Sequence, residues 1–210
     1  MRYTCDERID MRCRMEQFRH RWKNCEDFNE NVLKAHTAET GGWRYDKAEY
    51  IENMLDTAEI LDNYGIKFWP MFGSLLGMVR GDSPIVGDHD SDFAMHEDDE
   101  DKIIDIYLNP RQFERRGLVV GRASCDLITY VRWDKYRKYC SYIDLYFFRR
   151  TIPNWLTCAC YSIEEWKIED MWSMRKHGRH WNIPAAPESY LIEAYGDDWR
   201  EPKQNCPAKK

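Results

Sequence analysis

Three aspartates stand on alternate positions, Asp88, Asp90 and Asp92, just ahead of the apolar Phe93-Ala94-Met95. Read as a strand from Gly87 to Met95, the segment puts all three carboxylates on one face, because strand side chains alternate with a period of two. Carboxylates crowded in this way repel one another unless a cation sits among them. Hard oxygen donors suit Mg²⁺ or Mn²⁺, with substrate phosphates completing the shell. Upstream, Gly73-Ser74 opens the apolar run Leu75-Leu76-Gly77-Met78-Val79, which closes on Arg80. Ser74 is placed to cap a helix running to about Arg80. The first-turn N–H groups of that helix form an anion site, and Gly73 lets a phosphate come close to the backbone. An anion cradle followed by a metal-binding strand is equipment for handling a nucleotide phosphate. The bland alternative, a capping serine followed by a solvated acidic turn, is disfavoured by the combined pattern.

A fourth acid, Asp144, lies inside the apolar stretch Tyr142-Ile143-Asp144-Leu145-Tyr146-Phe147-Phe148. A carboxylate buried there without a partner is costly, so Asp144 is expected to face the site and join Asp90 and Asp92. A salt bridge to Arg80 or Arg149 is the alternative. Cys158-x-Cys160 and His177-x-x-His180 supply four zinc-type side chains, but Cys-x-Cys lacks the reach of the usual Cys-x2-Cys. Core thiols and histidines on a basic turn, Arg175 to His180, are the preferred reading. That turn has a further option as a contact for a donor or acceptor phosphate. Trp166, Trp172 and Trp181 offer stacking or cation–π surfaces for a sugar or choline, although tryptophan more often fills a core.

The elements that must position these groups follow from hydrophobic spacing. Asp46 and Glu49 form a capping-box-like pair ahead of the stripe Tyr50 or Ile51, Met54, Leu55, Ala58 and Leu61, and Gly65 ends that helix. Ile66 to Met71 reads as a buried strand that delivers the chain to Gly73. The acidic cluster His96 to Asp101 reads as a helix start rather than more metal ligands, since acids favour a first turn and Ile103, Ile104, Ile106 and Tyr107 continue it. Gly117 to Gly121, Leu127 to Trp133 and Tyr139 to Phe148 read as strands, the last two paired through the polar Asp134 to Lys138. Pro187 to Ala194 is a short helix with Pro near its first position, and Gly196 ends it.

The 210 residues suffice for one well-packed domain. A formal charge of −6 argues against duplex nucleic acid as a partner, which needs a basic footprint. The uncharged stretch from Thr151 to Ile163 is too short for a membrane span and holds Pro153 and Asn154. Charges in MRYTCDERIDMRCRM occupy the place where a secretory signal needs an apolar region. With eight cysteines and no such signal, reduced thiols in a cytoplasmic setting are expected. Residues 1–45 read as a helical N-terminal extension, 46–202 as the domain and 203–210 as a polar tail.

The stretch from Gly73 to Asp92 resembles the LicD/fukutin family of the nucleotidyltransferase superfamily. That family's hallmark is a Gly-Ser/Thr-Leu-Leu-Gly-x-x-Arg run followed by an Asp-x-Asp-x-Asp strand. Tyr142 to Phe147 is similar to the family's later acid-bearing strand. Pro187-Glu188-Ser189-Tyr190 through Tyr195-Gly196-Asp197-Asp198-Trp199 is similar to its C-terminal Tyr-Gly-Asp-Trp signature. The resemblance covers about Asp46 to Pro202. It departs at Gly87, where the family often has an aromatic, and at His89, where members vary.

The resemblance implies an α/β (α+β) fold with a small, mixed, largely antiparallel sheet flanked by helices. It implies a metal-dependent transferase moving a phosphorylated alcohol, such as phosphocholine or a polyol phosphate, from a nucleoside-diphosphate donor, with cytidine diphosphate favoured, to a glycan hydroxyl. Asp90 and Asp92 would be metal ligands. Asp144 would ligate the metal or accept the acceptor's proton, and Asp88 would be a ligand or an outer acid. Gly73, Ser74 and Arg80 would hold donor phosphates. Two alternatives stand beside this: nucleotidyl transfer from a nucleoside triphosphate, and a non-catalytic partner of a glycosyl-phosphate transferase. Retention of Asp88, Asp90, Asp92 and Asp144 speaks against the second.

Overall fold

The computed structural model describes residues 46–88, 90–108, 110–123, 127–132, 141–158 and 161–202. The expected N-terminal extension, the tail and the polar connection at 134–138 lie outside them. Helix α1 (Lys47–Asn63) starts as the sequence suggests, with the Asp46 carboxylate accepting from the N–H groups of Ala48 and Glu49. Its partner in the expected capping box does something else. Glu49 is buried and accepts from the N–H (3.0 Å) and hydroxyl (2.9 Å) of Ser141. A buried carboxylate needs several donors, and Ser141, at the head of the following strand, supplies them. Tyr50, Met54, Ala58 and Leu61 carry the helix's buried stripe.

Strand β1 (Phe68–Pro70) leads into α2 (Phe72–Arg80), followed by β2 (Asp90–His96). A 3₁₀ turn at Glu97–Asp99 and helices α3 (Glu100–Leu108) and α4 (Arg111–Arg115) connect to β3 (Leu118–Ala123) and β4 (Leu127–Arg132). The acidic cluster thus opens a helix, as expected. Its buried Asp99 accepts from the Lys67 N–H and the Lys102 ammonium. Strand β5 (Tyr142–Ile152) pairs antiparallel with β4, as the hairpin reading requires. Strands β6 (Trp155–Cys158) and β7 (Tyr161–Glu164), helix α5 (Trp166–Glu169), strands β8 (Met171–Lys176) and β9 (Arg179–Pro184), and helix α6 (Pro187–Tyr195) complete the order.

Among the described residues, seven strands form one mixed sheet in the order β1-β2-β5-β4-β3, with β6 joined to β5 and β7 to β6. Strands β2 and β5 run parallel and the other pairs antiparallel. The expected α/β class and mixed, largely antiparallel sheet are therefore present. On one face, Ser91, Phe93 and Met95 of β2 and Ile143, Leu145 and Phe147 of β5 are all buried. Trp181 of β9 stacks on Phe93 with ring centroids 5.7 Å apart.

The segment expected to be a basic turn is the tip of a hairpin that forms a separate two-stranded sheet, β8-β9. His177 and Gly178 both take positive φ, 49° and 81°. That is the left-handed backbone of a two-residue hairpin turn. Of the tryptophans weighed for ligand contact, Trp181 is core, while Trp166 and Trp172 are exposed.

Candidate active site

The topology gathers one end of several strands. Strand β1 runs antiparallel to β2 and stops at Pro70, opposite Phe93. The chain then turns into α2, so α2 begins beside Asp92. Strand β5 runs parallel to β2 with Asp92 opposite Asp144 and Asp90 opposite Tyr142. Paired residues on adjacent strands point to the same face, about 4.8 Å apart. Asp90, Asp92 and Asp144 are therefore brought together, each with a carboxylate oxygen within 4.8 Å of the others. Asp92 and Asp144 are buried and Asp90 is half-buried.

Asp144 is held on two sides. Thr129, its partner across β4, donates from its hydroxyl to Oδ1 at 2.5 Å. Tyr146, two residues on along β5, donates to Oδ2 at 3.3 Å. Tyrosines surround the acids. Burial, with Asp90 and Asp144 behind it, pushes the Tyr142 phenol far above its ordinary range. Burial, then Asp92, Asp88 and Asp90, does the same to Tyr195 at the end of α6. These phenols stay protonated and so remain hydrogen-bond donors beside the carboxylates. Helix α6 is tied in by Tyr190, whose hydroxyl accepts from the Phe72 N–H at 3.2 Å. Phe72 has φ of 44°, an outlier for a bulky residue, and its ring meets those of Tyr146 and Tyr161 edge-on.

Two sequence expectations change here, the strand expected to hold Asp88 and the cap expected at Ser74. The strand begins at Asp90, not Gly87. Gly87 takes φ of 88°, which breaks the period-two alternation, so Asp88 sits in the preceding turn outside the carboxylate trio. Its Oδ2 lies only 2.7 Å from where a Cβ on Gly73 would be. Gly73 is thus approached by this chain's own carboxylate. Ser74 is not a helix cap: α2 is entered from Met71 with no side-chain cap, and Ser74 lies in the first turn. Its buried hydroxyl accepts from the Asp92 N–H at 2.9 Å and bonds the Tyr50 hydroxyl at 2.9 Å. Arg80 is at the far end of α2, about 10 Å of helix away from Gly73, with its guanidinium forked onto Asp82.

The zinc-type side chains among the described residues are spread over separate hairpins. Cys158 is buried in β6, His177 bonds Ser83 at 2.9 Å, and His180 bonds Ser173 at 3.0 Å. Cys160 lies outside the described residues, among which Asp90, Asp92 and Asp144 form the candidate metal group. Sequence reasoning missed Thr129, whose role depends on register. It also passed over Tyr142 and Tyr146, although each stands two residues from Asp144 and so shares its strand face.

The site is a mixed sheet carrying three acids on adjacent parallel strands, with a helix starting beside them. A model of the LicD/FKTN/FKRP nucleotidyltransferase domain matches residues 65–187, and the chain belongs to that family. The family places it among transferases. No curated protein matches the chain. Among solved structures, the lincomycin-bound lincosamide antibiotic adenylyltransferase LnuA is similar over 67% of this chain and 83% of its own, at 12% identity and a TM-score of 0.44. Among the described residues, no helix is long and apolar enough to cross a membrane.

Proposed function

We propose that the protein is a metal-dependent transferase of LicD type. It moves a phosphorylated alcohol, phosphocholine or a polyol phosphate, from a nucleoside-diphosphate donor to a glycan hydroxyl. The observation that carries this is the carboxylate trio, with oxygens of Asp90, Asp92 and Asp144 within 4.8 Å of one another. Such a donor set, all hard oxygen and largely buried, fits Mg²⁺ or Mn²⁺. Asp90, Asp92 and Asp144 would hold the ion. The ion supplies positive charge against the donor phosphates as negative charge builds on them.

The rest falls to the chain. Thr129 and Tyr146 fix the Asp144 carboxylate, which ligates the ion or takes the acceptor's proton. The protonated Tyr142 and Tyr195 phenols donate hydrogen bonds at the rim. The donor phosphates approach beside the trio at the start of α2, and Asp88, whose carboxylate already fills the space over Gly73, stands as an outer acid. Placement of charge and donors in a partly buried site is most of what phosphoryl transfer requires.

The test is thermal unfolding of the whole chain with a panel of nucleotides and nucleotide-linked alcohols, with and without Mn²⁺. A Mn²⁺-dependent rise with a cytidine diphosphate conjugate supports the proposal, as does release of nucleoside monophosphate on turnover. A rise with triphosphates alone, or release of pyrophosphate, replaces it with nucleotidyl transfer. The absence of any metal or nucleotide response points to a non-catalytic partner. Asp90→Asn and Asp92→Asn are expected to abolish transfer with the fold intact, and an active double variant would overturn the metal assignment.

A further inference from the structure

Strand β1 ends one residue too early to complete the ladder beside Asp92. Pro70 is the last β1 residue, and it pairs with Phe93. At the next position the Met71 N–H still reaches the Asp92 carbonyl, at 3.0 Å, but the Met71 carbonyl is taken by Leu75 N–H of the helix, at 3.1 Å. The Asp92 N–H would be left buried without a strand partner, a costly state for a backbone donor. The Ser74 hydroxyl fills that place at 2.9 Å, and it is itself fixed at 2.9 Å by the hydroxyl of Tyr50 from α1. Ser74 and Tyr50 are each about 1% exposed. The hydroxyl of Ser74 is therefore occupied inside the protein, between a backbone N–H of a metal-site residue and a core phenol.

We propose that Ser74 and Tyr50 are positioning residues for the carboxylate trio and that the Ser74 hydroxyl is not a donor-phosphate ligand. Tyr50 orients the Ser74 hydroxyl, Ser74 substitutes for the missing strand at Asp92, and the backbone of Asp92 is thereby held where its carboxylate meets those of Asp90 and Asp144. The proposal rests on the metal reading of that trio. The two roles for Ser74 differ in what they disturb. Loss of a positioning hydroxyl weakens the ion, as loss of an outer support of a metal ligand typically does, by about 10- to 100-fold. Loss of a phosphate ligand weakens the nucleotide and leaves the ion alone.

The experiment uses the full chain as wild type, Ser74→Ala, Ser74→Thr, Tyr50→Phe and Asp92→Asn. Far-UV circular dichroism of each checks the fold. Mn²⁺ alone is titrated with free ion followed by electron paramagnetic resonance, and cytidine diphosphate is then titrated at saturating Mn²⁺. Ser74→Ala should raise the Mn²⁺ dissociation constant about tenfold or more with cytidine diphosphate affinity unchanged. Ser74→Thr, which keeps the hydroxyl, should restore Mn²⁺ binding. Tyr50→Phe, which keeps the ring in the core and so guards against misfolding of the serine variant, should weaken Mn²⁺ in the same direction by less.

Wild-type Mn²⁺ affinity in both Ser74→Ala and Tyr50→Phe overturns the proposal, as does a loss confined to cytidine diphosphate. Asp92→Asn separates the two layers. If it binds Mn²⁺ as the wild type does, the metal reading itself fails and takes the positioning role with it. If it loses Mn²⁺ while the Ser74 and Tyr50 variants do not, only the positioning role fails.

Discussion

Neutralising one acid of the trio is expected to stabilise the metal-free protein while removing its response to metal. The perturbation is Asp144→Asn. Oxygens of Asp90, Asp92 and Asp144 lie within 4.8 Å of one another. At an effective dielectric of about 20, two unit charges at that distance repel by about 3.5 kcal/mol. Asp144 faces both other acids, so loss of its charge relieves two such repulsions when no cation is present. Solvent and counter-ions reaching the half-buried Asp90 screen much of that gain. The asparagine carbonyl still accepts from Thr129, but the 3.3 Å bond from Tyr146 is lost at a cost of about 1 kcal/mol. A net stabilisation of about 1 kcal/mol remains, or about 2–4 °C in the unfolding midpoint of a domain of this size. With Mn²⁺ at a hundred times its dissociation constant the wild type should gain about 2.7 kcal/mol, and the variant should gain little. Differential scanning fluorimetry in chelator and in Mn²⁺ reads both quantities. A variant that melts below the wild type in chelator and still rises with Mn²⁺ as the wild type does would refute the reasoning.

Three further outcomes are expected. Gly73→Ala should push the Asp88 carboxylate away, since the new Cβ would sit 2.7 Å from its Oδ2. The displaced group is the end of a flexible side chain, so the midpoint should stay within about 2 °C, while transfer falls about tenfold or more through misplacement at the site; unchanged turnover would separate Asp88 from function. His177 has its pKa lowered from the ordinary 6.5 by burial, Lys176 and Lys47. Its contribution to stability is therefore fully present above pH 6.5 and is lost as pH falls through the lowered value in the folded protein. His177→Asn, which tolerates the positive φ, should flatten the midpoint-versus-pH curve below 6.5, and an identical slope would assign the acid sensitivity elsewhere. Arg132 is buried, with its guanidinium bonded to Asn53, Asp56 and the Arg116 carbonyl; Arg132→Ala should cost about 3–5 kcal/mol, read as a lower midpoint or urea transition, and a loss below about 1 kcal/mol would show the network to be dispensable.

What the sequence shows of this site, and what it hides, divides along the range of the forces involved. The helix from Asp46 is legible because its cap and its apolar stripe are local, and the structure keeps both. The acid cluster is legible in type because a carboxylate inside Tyr142 to Phe148 has to be compensated by something, and Asp90 and Asp92 on the same face make a cation the compensation that all three would share. Its membership is not fully legible. Whether Asp88 belongs depends on the backbone at Gly87, where φ of 88° ends the alternation that would have placed it. The role of Ser74 is hidden for a similar reason. A serine after a glycine at a helix start looks like a cap, and only the early end of β1 at Pro70 shows that the hydroxyl is needed sideways, at Asp92, rather than along the helix. Glu49 is the mirror case, an acid three residues after Asp46 that leaves its own helix to meet Ser141 at the head of β5. Ser74 and Glu49 each have a short-range use suggested by their spacing and a long-range use dictated by a strand that lacks a partner or a buried group that needs one. For Ser74 and Glu49 the long-range use prevails, because an unsatisfied polar group in the core costs more than an unfilled cap at a helix end.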